Sequence, residues 1–83
     1  MQSINWFELW IEDKNCVLDC MRRNMKSDIE AGYDINGKSI LYQRFMIKDY
    51  EDRFDYEMRN LREMDEKKAN HWCYVDLKRR GAI

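Results

Sequence analysis

Four side chains of this sequence, Cys16, Cys20, His71 and Cys73, carry the donor atoms of a tetrahedral zinc site. Cys16 and Cys20 are one helical turn apart and share a face, and His71 with Cys73 makes a second pair. A Cys3His set of this kind would fasten the two ends of a small domain. The spacing argues against it, because structural sites favour about two to four residues between paired ligands in loops, whereas His-x-Cys on a helix splays its members by about 200°. Free cysteine is also a common small core residue. No cofactor is therefore expected, with zinc on these four residues as the alternative.

Catalysis finds less support. His71 is the only histidine, and a Cys–His nucleophile would need a third orienting group inside a pocket that so short a helical chain rarely encloses. No glycine-rich phosphate loop is present, and the carboxylates run among basic residues without singling out an acid/base pair. The expectation is a protein that is not an enzyme.

Three cysteines cannot all pair within one chain, which favours a reducing compartment over a secreted disulfide scaffold. Met1 to Trp10 lacks the basic and apolar regions of a signal peptide, and no apolar run approaches the length of a membrane span. A cytoplasmic, soluble domain is expected, one unit over residues 1–83. Its aromatic content of 13%, with three Trp, argues against disorder.

The net charge of -1 conceals an asymmetry. Residues 1–41 hold five basic and seven acidic groups, 42–66 five and eight, and 67–83 five and one. The sharpest acidic block is Asp49, Glu51, Asp52, Asp55 and Glu57, interleaved with Tyr50, Phe54 and Tyr56. Carboxylates alternating with rings can occupy a cationic groove that otherwise holds nucleic acid, the charges steering and the rings anchoring. The basic end, Lys67, Lys68, Lys78, Arg79 and Arg80 with Trp72 and Tyr74 among them, offers the opposite reading: phosphate contact plus base stacking. A sequence pI near 5.8 weighs against that second reading, since dedicated nucleic-acid binders are basic.

The elements that must position these groups are helical. With no Pro, and Gly only at 32, 37 and 81, the breakers fall in the middle and at the tail. Asn5 is a good N-cap with Glu8 three residues on, Ile4 and Leu9 are placed as a hydrophobic staple, and Gly32 supplies a left-handed C-cap, so residues 5–31 read as one helix. Its apolar positions, Trp6, Phe7, Leu9, Trp10, Ile11, Val17, Leu18, Met21 and Met25, cover more than half of the circumference. Part of that arc must meet a second surface: another part of the chain, a second copy, or a foreign partner. Trp6, Phe7 and Trp10 would be its anchors if exposed.

Asn36-Gly37, flanked by Ile35 and Ile40, is a type I′ turn signal, but strands this short are marginal, so an irregular connector is favoured over a minimal β-hairpin. From Ser39, a plausible N-cap, Ile40, Ile47, Phe54 and Leu61 recur every seven residues, with Tyr50 and Met64 at intervening positions and Gln43 and Glu57 interrupting them. That imperfect seam suits antiparallel packing on the first helix over residues 39–68. An unbroken helix to Arg80 would be roughly 60 Å long and outreach its neighbour. A bend near Lys67 to Asn70 is therefore expected, returning Trp72, Val75 and Leu77 to the core. The fold expected is all-α: an antiparallel helical hairpin with a third C-terminal helical segment.

In its size, its richness in Met, Trp and Tyr, its lack of Pro and its dense mixed charge, the chain resembles the small accessory proteins that bacteriophages and prophages encode, including anti-CRISPR inhibitors of host defence. The resemblance is one of type. It implies stoichiometric binding to a host protein or nucleoprotein complex. Together with the wide apolar arc it makes a non-catalytic protein-binding module the expected function, with a homodimer expected from shared apolar faces. The alternatives are a nucleic-acid binder using the basic end and a zinc-stabilised adaptor.

Overall fold

The computed structural model describes residues 4–83, and they form three helices: α1 (Trp6–Glu30), α2 (Lys38–Glu63) and α3 (Glu66–Arg79). No strand occurs among the described residues.

α1 begins and ends as its sequence dictates. The Asn5 side chain accepts from the Glu8 backbone N–H at 3.1 Å, satisfying one of the four donors that a helix start leaves unpaired. At the other end Gly32, with φ at +103°, closes a Schellman motif: its N–H donates to Ile29 O, and the Tyr33 N–H donates to Asp28 O.

The connector is irregular and contains no hairpin. The turn sits over Asp34 to Gly37, where the Gly37 N–H donates to Asp34 O at 2.9 Å and the Asn36 N–H to the Asp34 carboxylate at 3.0 Å. Gly37 is extended, with φ at -74°, and a type I′ turn would need left-handed residues at Asn36 and Gly37. Gly37 is also the N-cap of α2, so Ser39 lies inside the helix.

Ile40, Ile47, Phe54 and Leu61 are all buried, which makes the seven-residue seam the core face of α2. Cross-pairs fix α1 and α2 as antiparallel: Asp28 with Gln43, Arg22 with Glu51, and Lys14 with Glu57. The helix stops at Met64, whose extended backbone and that of Asp65 turn the chain three residues before the expected bend. Starting α3 there brings Ala69, Cys73 and Leu77, spaced by four, onto the core in one stripe. Trp72 packs at the edge of that core and Val75 faces outward, correcting the expectation that Val75 folds in.

α3 runs parallel to the first half of α1. Tyr74 meets Trp6, Trp72 meets Trp10, and Arg80 reaches Asp13. Most of the wide apolar arc of α1 is covered from the same chain, α2 taking one side and α3 the other, with Leu9 left exposed. The assembly measures 51 × 25 × 17 Å, and no described helix is long and apolar enough to cross a membrane.

Candidate interaction surface

The residues that sequence patterns single out are distributed by this fold between the interior, an internal ion network and one outer face. Trp10 lies in the interior at 0% exposure, its ring edge-on to Phe54 at 5.4 Å and to Trp72 at 5.9 Å. Trp6 and Phe7 are half-buried against the core, Trp6 edge-on to Tyr74 at 4.9 Å. The three aromatics expected as interface anchors are thus occupied by the chain's own packing, because α3 covers the surface they would have offered.

Burying Trp10 commits its indole N–H, and the partner is Asp76. The Nε1–H donates to Asp76 Oδ2 at 3.0 Å, and the same carboxylate accepts from Arg79 at 2.7 Å and from Arg80 at 3.0 Å. Burial opposes ionisation of Asp76, but the bonds from Trp10 and Arg79 and the charges of Arg80 and Lys14 outweigh it and hold the carboxyl below its ordinary value. Arg80 extends the network to Asp13 Oδ2 at 2.8 Å. Arg80 loses hydration on burial, yet these two carboxylates keep its pKa above the ordinary value.

Beside this network Lys14 stands buried between the rings of Trp10 and Tyr50, 5.4 Å and 5.0 Å from their centroids, with Glu57 at 3.6 Å. Cation–π attraction and the ion pair compensate its lost hydration. The Tyr50 hydroxyl is enclosed without a hydrogen-bond partner among the described residues. Burial, opposed by Arg80 and reinforced by Asp13, Glu57 and Asp76, pushes its pKa up, so it stays a neutral phenol.

The basic end therefore splits in two. Lys67 and Lys68 are exposed, and Lys78 lies over the Tyr74 ring at 5.7 Å. Arg80 is held between Asp76 and Asp13 and Trp72 is at the core, while Arg79 pairs with Asp76 but stays 74% exposed, so of the expected set the Arg80 guanidinium and the stacking indole are occupied internally. The zinc set is not assembled either. Cys16 and Cys20 are exposed on α1, Cys73 is buried at 0% on α3, and His71 faces solvent. No group of three or more metal-ligating side chains converges among the described residues. The reason is the helical phase that separates His71 from Cys73. Burial, with a contribution from the Asp76 and Glu57 charges, pushes the Cys73 thiol up to about 11, which makes it a poor nucleophile and a poor ligand.

The acidic block lies along α2 but is largely paired. Asp49 meets Arg53 at 2.8 Å, Asp52 meets Lys48 at 3.3 Å, Glu51 meets Arg22, and Glu57 meets Lys14. Asp55 has no ion pair among the described residues. The first three pairs are exposed and worth about 0–1 kcal/mol each, so they exchange readily for a better partner, whereas Glu57 is tied to the buried Lys14. Of the interleaved rings, Phe54 is core, Tyr50 is half-buried, and Tyr56 is 61% exposed.

Family models, curated proteins and solved structures give no match to this chain.

The outer face of α2 has large side chains without an internal partner among the described residues. On the side of α2 opposite the buried seam lie Leu41, Tyr42 and Phe45, with Tyr42 63% and Phe45 65% exposed, then Asp49, Asp52 and Tyr56 along the same face. Leu41, Tyr42 and Phe45 lie outside the sequence-predicted site, which starts at Asp49, four residues beyond Phe45. The signal was available: projected at about 100° per residue, they stand opposite Ile40, Ile47, Phe54 and Leu61.

Proposed function

We infer that this chain is a non-catalytic protein-interaction module that docks through the outer face of α2. The observation that carries this reading is the two-sidedness of α2. Its inner face supplies the core, while its outer face exposes Leu41, Tyr42 and Phe45 together and Tyr56 three turns further on, large side chains that internal packing leaves open. Solvated helix faces of small proteins are polar, and a run of exposed rings on one face is the composition of an interface. Asp49, Asp52 and Asp55 among the rings favour a partner that presents cationic groups. A groove that holds nucleic acid has that character, so the partner class proposed is a host nucleic-acid-processing protein or complex, bound stoichiometrically and thereby inhibited or modulated.

The test is capture on the immobilised protein from nuclease-treated host extract, with Tyr56→Ala/Asp55→Lys as the control. A protein species retained by the wild type and lost by the variant, at unchanged helicity, supports the reading. Retention of nucleic acid alone, or of the same species by both proteins, refutes it.

A further inference from the structure

The N-terminal half of the outer face of α2 has a charge pattern that selects its occupant. Viewed from outside, Lys38, Tyr42, Phe45, Asp49 and Asp52 recur at alternating steps of four and three, the spacing of a helix–helix seam. Lys38 is exposed and has no ion pair among the described residues. We propose that this half of the face binds a second copy of the chain, the two α2 helices crossing antiparallel.

In an antiparallel seam the alternate positions of one helix lie level with the intervening positions of the other. Setting Tyr42 of each copy level with Phe45 of the other stacks four rings about the two-fold axis. The same register brings Lys38 of each copy beside Asp49 of the other. A parallel pairing would set Asp49 against Asp49 and Lys38 against Lys38. Sliding one helix by one heptad would set Phe45 against Asp49 and Tyr42 against Asp52, and sliding it by two would set Asp49 against Asp52. Only the register that sets Tyr42 level with Phe45 stacks these rings beside opposite charges with no like pair in the seam.

The area is adequate for a reversible pair. A fully covered aromatic side chain buries about 150–250 Å², so each of the two exposed rings has on the order of 100 Å² left to cover. With Leu41, Lys38, Met46 and Asp49 from both copies the interface reaches on the order of 1,000 Å², the lower edge for a specific association. An interface at that lower edge fits a weak, reversible association rather than an obligate dimer.

This inference rests on the reading of the outer face of α2 as a docking surface and divides it. The second copy takes Lys38 to Asp49, and Asp52, Asp55 and Tyr56 remain open at each end of the dimer for the foreign protein.

Sedimentation equilibrium on the full chain decides the matter. The expected mass rises with concentration from 10.3 kDa toward twice that value. Phe45→Glu, at an exposed site the fold does not need, stays monomeric with unchanged helicity. Lys38→Glu weakens association about tenfold and Lys38→Glu/Asp49→Lys restores it, because that exchange keeps opposite charges together. A mass constant at 10.3 kDa up to about 1 mM overturns the dimer. A dimer that survives Phe45→Glu, or a charge exchange that does not restore pairing, overturns this interface. The partner reading stands or falls separately, on the Tyr56→Ala/Asp55→Lys capture.

Discussion

Replacing Asp76 with Ala tests the polar knot that joins α3 to α1. The side chain is buried and takes three hydrogen bonds, from the Trp10 indole N–H, Arg79 and Arg80. Truncation leaves the indole N–H inside the core without a partner, at a cost of about 1–3 kcal/mol. The two arginines cost less. Arg79 is 74% exposed and regains water, and Arg80 keeps Asp13, so together they add about 1 kcal/mol. The total is about 3 kcal/mol, a large share of the roughly 4–12 kcal/mol expected for 83 residues, and corresponds to a fall in Tm of about 12–24 °C. Asp76→Asn, which keeps an acceptor for the indole, loses about half as much. Acid gives an independent readout. Because the folded-state pKa of Asp76 is depressed, the unfolded chain takes up its proton at higher pH than the folded one. The stabilisation is therefore full above the ordinary value of 3.8 and disappears as pH falls through the folded-state value. Denaturation followed by circular dichroism at neutral pH and at pH below 3.8 measures both effects. An Asp76→Ala protein within about 0.5 kcal/mol of wild type, or one with an unaltered acid dependence, would show that the knot is geometric only.

Asn70 carries a cap across the fold, its Oδ1 accepting from the Trp6 and Phe7 backbone N–H groups at 2.7 Å and 3.3 Å. Asn70→Ala should therefore cost about 1–2 kcal/mol in chemical denaturation, while Asn70→Asp, an anion at a helix start, should cost less. For the cysteines, an aromatic disulfide reagent at mild alkaline pH should titrate Cys16 and Cys20 promptly and Cys73 only on unfolding, since burial holds that thiol at about 11. Three fast thiols would contradict the packing of α3. Phe54→Ala should cost about 3–5 kcal/mol by loss of the ring that Trp10 meets edge-on, and a melt shifted by less than about 5 °C would remove Phe54 from the core. Adding a slight excess of zinc should leave helicity and Tm unchanged, because the four candidate ligands do not converge; a sharp rise in Tm would reverse that conclusion.

Periodicity and punctuation settle the local structure of this chain without reference to its fold. Asn5 and Gly32 bound α1 because their side-chain oxygen and their left-handed backbone satisfy the groups that helix ends leave unpaired. The recurrence of Ile40, Ile47, Phe54 and Leu61 already marks the buried face of α2, since residues seven apart return to almost the same side of a helix. The phase difference that keeps His71 and Cys73 from one metal is equally legible, being a property of the helix alone.

What covers the wide apolar face of α1 depends on where the chain turns, and that is a tertiary matter. A break at Met64 and Asp65 rather than three residues later sends α3 along α1, which buries Trp10 and removes it from any interface. The same docking brings Asp76 to the indole and Arg80 to Asp13, while Asn70 caps a helix more than sixty residues earlier. These pairings join groups far apart in sequence, and no local pattern encodes them, because hydrogen bonds and ion pairs form wherever packing brings donors and acceptors within reach. Subtraction then exposes the remainder: once α1 and α3 have claimed one side of α2, Leu41, Tyr42 and Phe45 are left facing out, with Lys38 and Asp49 beside them.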